Sequence, residues 1–217
     1  MSTQRRRTGT RPETQARRQS ILKAATEVFG NKGYANGTLA EIADQVGMTH
    51  AGILHHFGSK DHLLLEVLTY RDQTDVEHLT ERHIPGGLDL FRHLVRTAFA
   101  NAKRAGIVQA FVVLSGESVT DEHPARDYFM RRYSTLRAEI TEAFEQVCRE
   151  RGITDAGSIR YASAGILAVM DGLQVQWLLD PRVELAEATE FAIEAIVSAV
   201  LNPTPSPLAV EDETAVR

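Results

Sequence analysis

Between residues 38 and 60 the chain reads TLAEIADQVGMTHAGILHHFGSK, and this stretch restricts the possible folds more than any other. Thr38 is followed three residues later by Glu41. At that spacing a hydroxyl and a carboxylate cap each other's backbone N–H groups and start a helix. Gly47 falls where a tight turn between two helices needs a left-handed residue. Thr49 caps a second short helix over about 50–55, Phe57 anchors it, Gly58 turns the chain, and Ser59 caps a third helix with Lys60 and Asp61 in its first turn. Leu39, Ile42, Val46, Met48, Ile53 and Phe57 supply the apolar contacts that lock the first two helices together, and the small Ala43 lets them cross closely. The pattern predicts a helix-turn-helix, a shape suited to DNA. His50, Ala51 and Gly52 leave the second helix a low outer face that fits a major groove about 12 Å wide. Thr38 and Thr49 are placed to bond phosphates, His55 and His56 to donate to phosphate or base edges, and Lys60 to reach a phosphate by charge.

The net charge of −5 points away from nucleic acid, but its distribution does not. Residues 1–60 hold nine Lys and Arg against four acids, a local +5, so the remainder carries −10. A basic end on an acidic body is the pattern of a protein that meets DNA at one end only. Arg5, Arg6 and Arg7 fit a plain basic tail, whereas Arg17, Arg18 and Lys23 fall within a helical pattern. A single cysteine, Cys148, excludes an intramolecular disulfide; it reads as a packing residue, and a cytoplasmic chain is expected. The basic start lacks the apolar stretch of a signal peptide, and no apolar run approaches about 18 residues, so no membrane span is expected.

The rest of the sequence predicts helices throughout. Residues 1–13 are expected to be a disordered basic arm and 14–60 a DNA-binding domain whose motif covers about 38–57. Residues 61–202 form a larger helical domain, and 203–217, with three prolines, a disordered tail. The first helix spans about 14–31 and stops at Gly33; later ones cover about 60–79, 88–103, 107–119, 124–151, 156–179 and 184–201, with a break at 84–87. No strand-like alternation occurs, so the fold class is all-α, with about nine helices.

The segment from about 17 to 65, above all Phe29, Gly33, Thr38, Ile42, Ala43, Val46, Gly47, Thr49, His56, Phe57, Ser59 and Lys60, resembles the DNA-binding domain of TetR-type transcriptional regulators. A later stretch, DGLQVQWLLDP at 171–181, is similar to the next-to-last helix of many actinobacterial members. The resemblance implies a homodimeric, ligand-responsive regulator, usually a repressor. It maps DNA contacts onto Thr38, Thr49, His50, Ala51, Gly52, His55 and Lys60. The chain departs from the family where Leu54 replaces a tyrosine that often touches phosphate, and where Ala51 precedes Gly52 at the usual glycine position.

A small-molecule effector is expected between the helices of the larger domain, with Phe99, Phe111, Leu114, Phe129, Tyr133, Met170 and Trp177 as candidate lining. Glu117, after a nearly all-apolar run, reads as a plain helix-end acid. The last two helices are apolar on wide faces. Ile166, Met170, Leu173, Trp177, Ile196 and Val200 are the expected dimer contacts, and a twofold axis there would space two readers about one DNA turn apart on a pseudo-palindrome. No metal site or cofactor is expected, because His50 and His55 are five apart and lie on different helix faces. Ser115, His123 and Asp127 supply the residue types of a hydrolase triad without a nucleophile turn, so no enzyme is expected. Two alternatives stay open at this point: an activator with the same reader, and a helical small-molecule binder with no role on DNA.

Overall fold

The computed structural model describes residues 11–76, 85–153 and 156–203. Most of the expected basic arm (1–10), part of the break (77–84) and the expected tail (204–217) lie outside the described residues. Among the described residues there are nine helices and no strand. They are α1 (Arg11–Asn36), α2 (Leu39–Gln45), α3 (His50–Phe57), α4 (Lys60–Val76), α5 (Gly87–Asn101), α6 (Ala105–Glu117), α7 (Arg126–Arg151), α8 (Ala156–Leu179) and α9 (Leu185–Leu201).

Two packed cores organise them. One joins α1–α4 to α6 and the start of α7: Ile21, Phe29, Ile42, Ile53, Leu63 and Leu64 share it with Phe111, Leu114 and Phe129. The other joins α5, α7, α8 and α9 around Phe91, Phe144, Ile140, Ile166 and Ile193, with Cys148 buried among them as a packing residue. The expected division at 60/61 therefore falls at the start of a helix that belongs to the first core. The head is fixed to the body because α6 runs along α1.

α1 differs from the expected span at both ends. It begins at Arg11 and helical geometry resumes after Gly33, whose φ of 72° and ψ of 177° break the helix there. The glycine thus marks a kink, with one short turn beyond it. By length and composition Ser158–Leu179 is apolar enough to cross a membrane, a property the count of consecutive apolar residues missed. It packs one face against α7 and α9, with Ser163 and Gln174 turned inward, and 28% of its apolar window is buried inside the protein.

Candidate nucleic-acid interface and interior cavity

The reader is built by its caps. Thr38 Oγ1 accepts from the Glu41 N–H at 3.2 Å while the Glu41 carboxylate accepts from the Thr38 N–H at 3.1 Å, the reciprocal box expected from the spacing. Gly47, at φ 62°, makes the turn, and Thr49 Oγ1 accepts from the Gly52 N–H at 3.1 Å to open α3. Ile53 and Phe57 point into the core, which leaves His50, Ala51 and His55 exposed on the opposite face, with Gly52 beside them. α3 therefore presents its N-terminal turn outward as a groove-sized ridge.

In the unbound chain Thr38, Lys60 and Arg18 are each held by contacts within the protein. The Thr38 hydroxyl donates to Glu41, which also pairs with Lys32, so in the unbound chain it is engaged within the cap. Lys60 is turned inward: its ammonium lies 4.3 Å from the centre of the Tyr34 ring and donates to the Ala35 carbonyl at 3.4 Å, and this burial lowers its pKa. Arg18 stacks over Phe57 at 4.3 Å, donates to the His56 carbonyl at the end of α3 and pairs with Glu66 at 3.0 Å. A cation there suits the negative end of the helix. His56 packs beside Phe57, and Leu54 is half-buried against the head core.

The junction of head and body is polar. Glu117, at the last turn of α6, accepts from the Tyr34 N–H at 2.7 Å, just past the Gly33 kink. His123 stands edge-on to Tyr34 at 5.4 Å with its Nε2 3.8 Å from the same carboxylate, and the Tyr34 hydroxyl donates to Asp61 at the start of α4. Glu117 is thus a tie between α6 and the α1–α2 junction and not a plain helix-end acid. Ser115 donates to the Val112 carbonyl, and His123 Nδ1 accepts from the Ala125 N–H, so these two side chains face separate partners.

A cavity of about 380 Å³ lies between α4, α5, α6, α7 and α8. Of the expected lining, Phe111, Tyr133 and Met170 face it. The others do not. Phe99 is exposed, out of phase with the cavity-facing Leu90, Leu94, Thr97 and Asn101 of α5. Leu114 and Phe129 are spent in the head-side core, and Trp177 lies beyond the cavity along α8. The sequence reading missed the polar half of the wall: Arg71, Asp72, His93, Asn101, Tyr128, Arg131, Arg132, Asp171 and Gln174. The available signal was polar residues at buried phases of apolar helices, such as His93 and Asn101 within α5. Asp72 takes Arg71, Arg132 and the Tyr128 hydroxyl, and both guanidinium groups stack on Phe111, at 4.0 and 5.1 Å. Tyr133 donates to Asp171 at 2.6 Å; burial pushes the Asp171 pKa up, with that bond and the nearby guanidinium groups acting against it.

Of the expected dimer contacts, Ile166, Met170 and Val200 are buried inside the protomer, where α8 and α9 pack on each other and on α5 and α7. Leu173, Trp177 and Ile196 are half-buried. The outward apolar face is made by other residues: Tyr161, Val175 and Leu179 on α8 and Phe191 on α9, with Leu179 82% and Phe191 75% exposed.

Comparisons with known proteins agree with this architecture. The profile of bacterial regulatory proteins of the tetR family matches residues 21–67, and that of the BetI-type transcriptional repressor C-terminal domain matches 88–202. The transcriptional activator FasR of Mycolicibacterium smegmatis is 29% identical over 191 residues, covering 81% of this chain and 78% of that protein. The repressor BepR of Brucella suis is 26% identical over 188 residues, covering 78% and 84%. Among solved structures, the SmeT–triclosan complex aligns over 91% of this chain and 98% of SmeT with a TM-score of 0.69 at 17% identity; SmeT is described as the repressor of a Stenotrophomonas maltophilia multidrug efflux pump. The two profiles account for the head and the body in turn, and the second spans more than half of the sequence; the chain belongs to the TetR family of bacterial DNA-binding transcriptional regulators.

Proposed function

We propose that this regulator is a dimeric repressor that a small molecule, held in the interior cavity, releases from a pseudo-palindromic operator. The observation that carries the reading is the course of α6. Phe111 in its middle lines the cavity, and Glu117 at its end holds the backbone at Tyr34, beside the kink that leads into the reader. A ligand that displaces Phe111 shifts α6, and the tie passes that shift to α1, α2 and, through Tyr34 and Asp61, α4. Such a ligand acts only by binding one arrangement better than the other. Triclosan in SmeT supports a ligand of small, largely apolar type.

Dimerisation is proposed through the outward face of α8 and α9. Four of the seven large apolar residues exposed among the described residues lie there: Tyr161, Val175, Leu179 and Phe191. A self-complementary patch of this kind suits a twofold axis, which sets two α3 helices in successive major grooves.

The test is a retardation titration on genomic fragments that the protein selects. Ligand should release the wild type, whereas Glu117→Ala should still bind both ligand and DNA but couple them at least about fivefold more weakly. Undiminished coupling in that variant would exclude α6 as the link. FasR carries the name of an activator, and transcription of the selected promoter in vitro, rising or falling as protein is added, separates activation from repression.

A further inference from the structure

We infer that the α8 wall of the cavity, through Asp171 and Gln174, is an acceptor site for the N–H-donating ammonium or amidinium group of a ligand with an apolar body. The inference rests on the reading that the cavity holds the effector, and names its chemical class.

Three carboxylates line the cavity, Asp72, Glu139 and Asp171, and the two that meet tyrosine hydroxyls, Asp72 and Asp171, are not equivalent. Asp72 is held by two guanidinium groups and a tyrosine hydroxyl. Asp171 receives one bond, from Tyr133 at 2.6 Å, and among the described residues no cation pairs with it. Among the described residues no donor reaches its second oxygen. Three positions further along α8, Gln174 is 4% exposed and its Oε1 has no hydrogen-bond partner among the described residues. Residues spaced three apart on a helix share a face, with Cβ atoms about 5–6 Å apart, so one donor group with two N–H bonds can reach both acceptors. Leaving a buried acceptor unmatched is costly, and a donor supplied by ligand removes that cost.

An anionic ligand meets the opposite situation. Arg71 and Arg132 are committed to Asp72 and to the face of Phe111, and Arg131 stands exposed. An anion has to displace Asp72 to gain their terminal nitrogens, and otherwise finds the buried Nε of Arg132, which has no acceptor among the described residues. The remaining wall, Leu90, Leu94, Leu136, Ile140, Leu167 and Met170, receives an apolar body. On the α5 side Asn101, 1% exposed, turns an unpartnered Nδ2 toward the cavity, so a hydroxyl or carbonyl on that body also finds a donor.

Three probes of matched length test this on the full chain: n-decylammonium, n-decanoate and n-decanol, each kept below its micelle concentration. Calorimetry gives the affinities, and the single tryptophan, Trp177, one turn beyond Gln174, reports binding by fluorescence. Decylammonium should bind at least about tenfold tighter than either other probe, and Asp171→Asn should remove about that factor while sparing decanol. Decanoate binding tightest, or an unchanged ammonium affinity in Asp171→Asn, overturns the inference. If Asp171→Asn melts too early to titrate, Gln174→Leu decides: it should weaken ammonium binding severalfold while raising the melting temperature, and an undiminished affinity counts against the site. The same titrations on protein–DNA complexes separate the two readings. Asp171-dependent ammonium binding without DNA release rejects the effector reading and leaves this site standing; DNA release by decanoate in preference to decylammonium rejects this site and leaves the effector reading standing.

Discussion

Gly33 and Glu117 show how much one position can depend on another far along the chain. Gly33 sits at φ 72°, and a Cβ added to it would overlap the Glu117 carboxylate. Gly33→Ala should therefore destabilise the protein by about 1–3 kcal/mol in urea denaturation, combining backbone strain with the lost tie. Gly33→Ala with Glu117→Ala should recover part of that loss; a double variant no better than the single one would place the whole cost in the backbone. Beside them, His123 has its pKa lowered from 6.5, because burial outweighs the attraction of Glu117. The unfolded chain then binds the proton more readily, so this stabilisation is complete above the ordinary value and is lost as pH falls through the folded one. Melting temperature should drop between about pH 7 and pH 5, and His123→Gln should make that drop shallower. A residual slope is expected, since His56 is lowered by burial in the same direction. Identical slopes in the two proteins would remove His123 from the account. The sequence made the Thr38–Glu41 box legible because both partners lie within one turn. Glu117 was not legible, because its partner Tyr34 lies 83 residues away and only the packing of α6 along α1 joins them.

At the scale of elements, periodicity located the helices and left their phase partly open. α5 and α7 were expected within a few residues of Gly87–Asn101 and Arg126–Arg151. A wide apolar stripe such as that of α8 does not by itself tell an inward residue from an outward one. Ile166 and Met170 went to the protomer core, while Tyr161, Val175 and Leu179 remained outside. The cavity was misjudged for a related reason. Aromatic residues were taken as its lining, yet Phe129 supports Phe111 from behind at 5.1 Å, and much of the wall is polar. For the proposed dimer the exposed residues are the relevant ones. Phe191→Asp should yield monomers in sedimentation at micromolar concentration, with helix content unchanged because the side chain is 75% exposed. A persistent dimer would move the interface away from α9.

The whole molecule is an acidic body with a basic reading end, and that asymmetry was legible from the positions of nine basic residues in the first 60. Three of those cations, Arg18, Lys32 and Lys60, are engaged in internal contacts in the unbound chain, so fewer are available to phosphate than a count suggests. The cores tie reader to body without a break, so a change in the cavity has a packed route to α3. The central claim is that the exposed N-terminal turn of α3, at His50, Ala51 and Gly52, reads sequence in a major groove. Selection of bound genomic fragments by the full-length protein, followed by sequencing, tests it most directly, with His50→Ala selected in parallel. The account predicts a shared pseudo-palindrome with half-site centres about 10 base pairs apart, and a preference altered at the same position of both half-sites in His50→Ala. Fragments that share no motif, or an identical motif recovered by both proteins, would contradict it.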